Sequence, residues 1–552
     1  MNHPPPQQPH PSQPTPSPPA GPVPGRPRLE LNVSSTYELY AGHDGRGTPG
    51  EHEVHVILEV RAEGLGTVPR RPAEHCEVVV IDCSGSMAHP TLDKIAAARR
   101  AAAEAVGMLP DGTHFALVEG TDTARVAYPW GDPSTPATVA ASPATRAEGS
   151  RTARVLDAHG GTRISAWLDL ARRLLTARPE TAFRHALLLT DGRDEHGRAE
   201  ELRRVLDDCA GEFGCDVLGI GDDWDAAQLR MIADRLHGRA EAVVTGGAGA
   251  AGETGAQLTR LFRELVGAAT RRTLPRLAVG VHVGPFLTVT LFRQVNPTVA
   301  DLTDTAVQDG DRLRFGTGAW GDETRWYELR LRVDPGHAGP GPGSGSDGQP
   351  GAGEPGAGTG AVRIASLWLE TEGEAAGAVE LPGEVPVAVR WTDEPPPLTD
   401  PGGAGWHFLR HAELGEASRA GSAALVRGDV ATAERELGRA VRLADELGDT
   451  EQLARLGALV VVENAATGQV RIRDTVEPGN IQAVIAGSTH TTTPPPVPPP
   501  AGSPSAGRRS AGSPSAGRRP ADGRPVTCPR CAEVVQPGRY CVSCGHPLRK
   551  EE

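Results

Sequence analysis

Hydrophobic residues along this chain change period twice. Segments 29–40 (LELNVSSTYELY) and 51–63 (EHEVHVILEVRAE) alternate apolar and polar residues, the period-two pattern of half-buried strands. At 77 the pattern becomes strand, helix, strand. EVVVID (77–82) is an almost unbroken apolar run, and Leu92, Ile95, Ala102, Val106 and Leu109 follow at helical spacing. FALVEG (115–120) and ARVAYP (124–129) lie too close together for a crossover helix and predict an antiparallel hairpin. Ile164, Trp167, Leu168, Leu174 and Leu175 predict a helix over 163–177 leading into HALLLTD (185–191). Two more units follow, a helix around Leu202 into CDVLGIG and a helix around Leu229 and Ile232 into AEAVV. Repeated strand–helix units with apolar strands imply a doubly wound α/β domain over 76–268, its parallel sheet covered on both faces. Ligands of such sheets bind beyond the carboxyl ends of the strands.

Residues 273–335 and 361–392 return to strand periodicity (LAVGVHVGPFLTVTLFRQV, ETRWYELRLRV, VRIASLWLE, VPVAVRW), interrupted by a Gly/Pro linker at 335–360. With the strands of 29–72, the segment 273–395 predicts an antiparallel β-sandwich into which the α/β domain is inserted. Residues 404–466 are Ala/Leu/Glu/Arg-rich with turns at Gly428-Asp429 and Gly448-Asp449. They predict a small helical bundle resembling a tetratricopeptide-type hairpin, too short for a solenoid. Residues 1–28, rich in Pro, Gln and Ser, read as disordered. Over 467–524 an extended segment with a strand-like NIQAVIAG gives way to a flexible linker in which AGSPSAGRR occurs twice.

Composition narrows the function classes. The 552 residues exceed a single core, and 68 Gly and 50 Pro against 4% aromatic residues mean that long stretches cannot bury enough apolar surface to fold. A formal net charge of −14, spread through the chain, argues against nucleic acid and anionic membrane as partners. The N-terminus has neither a basic nor an apolar leader region, and no run of about 18 apolar residues occurs, so the expected location is cytoplasmic.

Candidate chemistry begins at VVVIDCSGSM (78–87), where a buried strand ends by presenting Asp82, Ser84 and Ser86 at alternating positions. A strand-to-helix turn can aim such oxygens at one point, and a hard divalent cation takes oxygen ligands. One loop supplies too few. Thr162 in HGGTRIS, just before a helix, and Asp191 in LLLTDGRDE, just after a strand, offer the rest. This combination resembles the von Willebrand factor type A domain with a metal-ion-dependent adhesion site. The resemblance implies that Ser84, Ser86 and Thr162 hold Mg²⁺ or Mn²⁺ directly or nearly so, and that Asp82 and Asp191 act largely through water. It further implies an open position for an acidic side chain of a protein partner. Cys83, at an unconstrained position, is expected to be packed. The plain alternative is that DCSGS is only a helix N-cap.

Enzyme readings fit less well. A phosphotransferase of the haloacid-dehalogenase type needs D-x-D where position 84 is Ser, and a hydrolase elbow needs Gly two residues before its Ser. A hydrolase or phosphotransferase using Asp82 or Ser84 therefore stands as the alternative to a non-enzymatic interaction and scaffold protein. A chelatase-like subunit partnering an AAA+ ring ATPase is another. Gly247 to Gly252 spell G-x-G-x-x-G, but no acid ends the next strand, and the string reads as a loop.

LFRQVNPTVADLT (291–303) and TGAWGDETRWYEL (317–329) resemble an actinobacterial subgroup of A-domain proteins with a β-sandwich, a helical segment and a variable C-terminal module. That resemblance implies a signalling setting beside Ser/Thr kinases and phosphatases. Ser488 to Thr493 precede the proline linker, a position that makes their hydroxyls accessible. Thr489, Thr491, Thr492 and Thr493 are thus candidate phosphorylation sites that a forkhead-associated domain could read.

Of 8 cysteines, Cys76, Cys83, Cys209 and Cys215 lack the spacing of a disulfide framework. Cys528-x-x-Cys531 and Cys541-x-x-Cys544 instead form two knuckles that can close a tetrahedral structural Zn²⁺ site, a zinc ribbon over 525–548. Gly538 and Gly545 suit its turns, and His546 is read as a neighbour rather than a ligand.

Overall fold

The computed structural model of the chain describes residues 26–35, 38–40, 53–68, 74–88, 94–131, 135, 137–179, 181–194, 199–244, 251–284, 287–333, 362–371, 377, 379–392, 403–495, 526–527 and 534–535. The chain divides into two units, Met1–Val497 and Pro498–Glu552.

The first unit opens with β1 (Arg28–Ser35), β2 (Glu38–Tyr40) and β3 (Glu53–Glu63). β1 and β3 pair antiparallel from Arg28↔Glu63 to Ser35↔Val56. β2 belongs to a different sheet, so segment 29–40 holds two strands rather than one.

The inserted domain follows as β4 (His75–Asp82), α1 (Lys94–Gly107), β5 (His114–Gly120), β6 (Ala124–Tyr128), β7 (Val139–Ala140), α2 (Pro143–Arg154), α3 (Ile164–Thr176), β8 (Phe183–Thr190), α4 (Ala199–Cys209), β9 (Gly214–Ile220), α5 (Ala226–Arg235), β10 (Ala240–Val243) and α6 (Ala251–Arg271). Its sheet runs β10-β9-β8-β4-β5-β6, with β7 also on β5. β4, β5, β8, β9 and β10 are parallel to their neighbours in that set, while β6 and β7 are antiparallel to β5. Alternate residues of a strand face opposite sides. Val78 and Val80 of β4 accordingly pack with Trp167 and Leu168 of α3 in one cluster, and Val79 and Ile81 with Ile95 and Val106 of α1 in another. Burial on both faces explains the unbroken apolar run. Helix α2 has no counterpart in the sequence reading. Its signal is local: Ser142 and Thr145 form a reciprocal capping box and Pro143 opens the first turn.

The chain then returns to the surrounding sheets through β11 (Leu277–Val283), β12 (Leu287–Asn296), β13 (Ala300–Asp301), β14 (Ala306–Asp309), β15 (Arg312–Gly316), β16 (Thr324–Val333), β17 (Val362–Thr371) and β18 (Val385–Thr392). One sheet runs β1-β3-β16-β12-β13 and the other β14-β15-β11-β17-β18-β2. Val56, Leu58 and Val60 of β3 share a single buried cluster with Val279 and Val281 of β11 and Leu367 of β17. The 317–329 segment serves this core. Trp320 is fully buried, donates from its indole to Thr317 Oγ1 at 2.9 Å, and lies under the Arg325 guanidinium at 4.2 Å.

Three helices follow, α7 (Ala404–Val426), α8 (Val430–Leu447) and α9 (Thr450–Gly457). Asp429 and Asp449 cap α8 and α9, as the two Gly-Asp turns imply. The expectation of helix through 466 is corrected. Val460–Asn464 (β19) and Gln469–Ile472 (β20) form an antiparallel hairpin, because the Val460-Val461-Val462 run favours strand and Gly468 turns at φ +71°. NIQAVIAG is corrected as well. Pro478 starts helix α10 (Pro478–Gly487), whose Val484 joins the core of the helical segment and whose Ala486 joins that of the inserted domain. Burial against two partners overrides the strand preference of Ile and Val.

This docking also removes the expected accessibility of the threonines. Ser488 and Thr489 are buried, Thr491 Oγ1 donates to the Val295 carbonyl at 2.6 Å, and Thr492 sits between His407 and His411. Thr493 is exposed.

In the second unit β21 (Val526–Thr527) pairs antiparallel with β22 (Val534–Val535). Cys528, Cys531, Cys541 and Cys544 lie outside the described residues, as do segments 1–25 and 334–361, Gly247 to Ala250 and the AGSPSAGRR repeats. Among the described residues no helix is long and apolar enough to cross a membrane.

Candidate metal centre at the strand ends

β4 and β8 are adjacent parallel strands, so their last residues deliver two loops to the same edge of the sheet. Asp82 ends β4. One of its carboxylate oxygens accepts from the Ser84 N–H at 2.8 Å and the other from Thr190 Oγ1 at 2.6 Å, which fixes the carboxylate at the base of the site. The turn that follows carries Ser84, buried, and Ser86, exposed at the mouth. Their hydroxyls stand 2.9 Å apart, and Ser86 donates to Asp191 Oδ1 at 2.7 Å.

The third loop is held by backbone. Cys83 N donates to Gly120 O at 2.7 Å, His159 N to Cys83 O at 2.6 Å, and Gly85 N to Gly160 O at 3.0 Å. Gly160 has φ +73°, and a Cβ there would come within 2.7 Å of Asp122 Oδ1. Thr162 is thereby brought to the same place from the start of α3. A Cβ on Gly192, next to Asp191, would lie 3.0 Å from Thr162 Oγ1. Ser84, Ser86, Thr162, Gly192, Arg193 and Asp223 line a cleft of about 440 Å³. All five oxygen-bearing residues singled out in the sequence therefore meet at this cleft or just beneath it, and Cys83 is buried beside them.

The sequence reading misses four participants. Thr190 orients Asp82, Arg193 and Asp223 stand on the rim, and Lys94 reaches Asp191 Oδ2 with its Nζ at 2.6 Å. Only partners distant in sequence give these residues their role. D-x-S-x-S, by contrast, announces itself within five residues.

The donor set suits a hard cation. It consists of hydroxyls and carboxylates, the oxygen ligands that such a cation takes. Asp82 and Asp191 are both fully buried. Burial, reinforced by the Asp191 charge, pushes the Asp82 carboxyl up to about 6. Two buried acids with one ammonium beside them leave a demand for positive charge that an ion would meet.

The site is thus an oxygen cluster at the carboxyl edge of an open α/β sheet. Residues 78–242 match the von Willebrand factor type A domain family. A von Willebrand factor type A protein from Catenulispora acidiphila is 30% identical and superposes over 85% of this chain and 98% of its own, with a TM-score of 0.69. The chain belongs to this family. The ArnB paralog VWA2 of Sulfolobus acidocaldarius, at 12% identity, covers 84% of this chain and 98% of its own with a TM-score of 0.45. An uncharacterized protein of Synechocystis sp. is 29% identical over 188 residues, 32% of this chain and 41% of the relative, so the chain spans less than half of that relative's length.

Proposed function

We propose that this protein is a metal-dependent protein–protein interaction module. Ser84, Ser86 and Thr162 would hold Mg²⁺ or Mn²⁺, with Asp82 and Asp191 acting through water, and an acidic side chain of a protein partner would complete the site. When bound, the ion supplies a Lewis-acidic point of attachment for a carboxylate. The chain's own residues do the positioning: Thr190 and the Ser84 N–H orient Asp82, and Ser86 orients Asp191. The observation that carries this reading is the convergence of five oxygen-bearing side chains from three loops on one cleft. A binding role rather than catalysis is supported by the two serine hydroxyls, which are bonded to each other and to Asp191 instead of to an imidazole base.

Zn²⁺ at Cys528, Cys531, Cys541 and Cys544 would be structural. Their spacing supports this, as does the position of the first pair in sequence between two strands that pair with each other. The link to Ser/Thr kinase signalling rests on the resemblance at 291–303 and 317–329. Of the candidate threonines, Thr493 has the exposure that a kinase needs.

Affinity capture from the native cell tests the main reading. Wild type in Mg²⁺ retains a partner that is lost in EDTA and lost from Asp82→Ala. Equal capture in all three samples refutes it.

A further inference from the structure

Lys94 occupies a position that solvation does not favour. It belongs to α1. It is also 3% exposed, although lysines are almost never buried unless paired. Its partner is Asp191, 2.6 Å away and fully buried, whose other oxygen accepts from Ser86. The carboxylate of Asp223, on the rim, stands 3.9 Å from the same ammonium. Room for the lysine stem comes from Gly221, just after β9. A Cβ there would press to 2.8 Å from Lys94 Cε, and its φ of +83° suits glycine. A buried lysine whose partner is a carboxylate of the candidate site calls for a functional account.

The charge balance gives that function. Asp82 and Asp191 bring two negative charges to the base of the cleft and Lys94 returns one positive charge. With Asp223 and Arg193 on the rim adding one charge of each sign, a bound divalent ion would leave the site positive by one charge, whereas without the lysine the ion would only neutralise it. The lysine therefore weakens the hold on the ion and strengthens the demand of the loaded site for an anion. Its bond also engages Asp191 Oδ2, leaving Oδ1 to Ser86.

We propose that Lys94 is the positioning residue that makes the loaded site selective for an anionic ligand, trading ion affinity for carboxylate affinity. This rests on the metal reading above and deepens it.

Mn²⁺ and acetate serve as probes on the full chain. Mn²⁺ affinity is read by electron paramagnetic resonance of the free ion. Acetate affinity is read from the fall in water-proton relaxation as acetate displaces water from bound Mn²⁺. Lys94→Met is expected to bind Mn²⁺ about tenfold more tightly and acetate about tenfold more weakly than wild type, as loss of a nearby unit charge requires. Lys94→Arg is expected to follow wild type in both. Where the methionine variant does not fold, Lys94→Gln, which still donates to Asp191, shows the same opposed pair of changes. A merely structural lysine would lower both affinities together, and that result, or unchanged values, overturns the role of Lys94 while leaving the metal site standing. Wild type that binds no Mn²⁺ overturns both.

Discussion

Ser86 and Asp191, 105 residues apart, are joined by a 2.7 Å hydrogen bond that closes the turn after β4 onto the turn after β8. That contact makes the hydroxyl cluster a single unit.

Ser84→Ala and Thr162→Ala each remove one hydroxyl from the cluster without touching the sheet core. Affinity for Mn²⁺, measured by calorimetry, is expected to fall by about tenfold to a hundredfold. The thermal midpoint is expected to stay within about 4 °C of wild type. Unchanged affinity in either variant removes that residue from the ligand set.

Gly120 ends β5 beneath the Trp167 ring, and a Cβ there would come within 2.6 Å of it. Trp167 also donates from its indole to Thr121 O at 2.6 Å, and Thr121 O accepts from the Arg163 N–H beside Thr162. Gly120→Ala is expected to cost about 1–3 kcal/mol by overpacking. Because the same ring supports the Thr162 loop, Mn²⁺ affinity should fall as well. Scanning calorimetry and the Mn²⁺ titration read the two effects separately.

Buried histidines are expected to shape the pH dependence of stability on both sides of neutrality. On the acid side His411 accepts from the Thr492 N–H at 3.2 Å, and burial, with His407 beside it, pushes it down to about 3. Burial, with Arg455 nearby, likewise pushes His490 down to about 4. Both folded values lie below the ordinary value near 6.5, so at these two sites the unfolded chain binds more protons and their contribution is lost as pH falls below about 6.5, against an opposite contribution from the buried Asp82 carboxyl, which is pushed up to about 6. On the alkaline side His185 lies at the opposite end of the sheet from the cleft, 2.8 Å from Glu77 and 3.2 Å from Asp216. Burial opposes its charge, but the Glu77 carboxylate and the Asp216 hydrogen bond outweigh burial and lift it to about 9. Its contribution is complete below about 6.5 and is lost as pH rises through about 9. Thermal midpoints from about pH 4 to about pH 10 check both limbs. His185→Gln should flatten the alkaline limb and His411→Gln the acid one.

Thiol reactivity separates the two cysteine groups. Cys76, Cys83, Cys209 and Cys215 are free and buried, and burial pushes the Cys76 and Cys209 thiols up to about 12. They should stay silent to a thiol reagent in the native protein. If Zn²⁺ holds the remaining four, these become reactive only when a strong chelator is added, and metal analysis should find one zinc per chain lost at the same time. Four reactive thiols before chelation would refute the zinc ribbon.

The parallel sheet is legible in the sequence because burial on both faces of β4 writes itself into four consecutive apolar residues. The cluster is legible because three of its members fall in one turn and the other two occupy predictable ends of elements. Lys94 is not. Beside an alanine-rich helix it reads as a solvated lysine until Asp191, 97 residues away, is placed against it. The β19–β20 hairpin is hidden inside a segment whose average composition is helical, although Val460 to Val462 carry the local signal. Helix α10 escapes for the opposite reason: its Ile and Val residues favour strand locally, and only packing against α5, α7 and α9 decides otherwise. The placement of Thr489 to Thr492 follows from that helix and has no local signal.

The contacts of the 489–495 segment lie one after another along the chain: Thr489 O with Val299, Thr491 with Val295 and Pro297, Thr492 with His407 and His411. Behind them the Gly479 N–H holds Asp222, next to Asp223 on the rim of the cleft. Arranged in chain order, these bonds would be met by a pull from residue 495 with Thr492 first and Thr489 last.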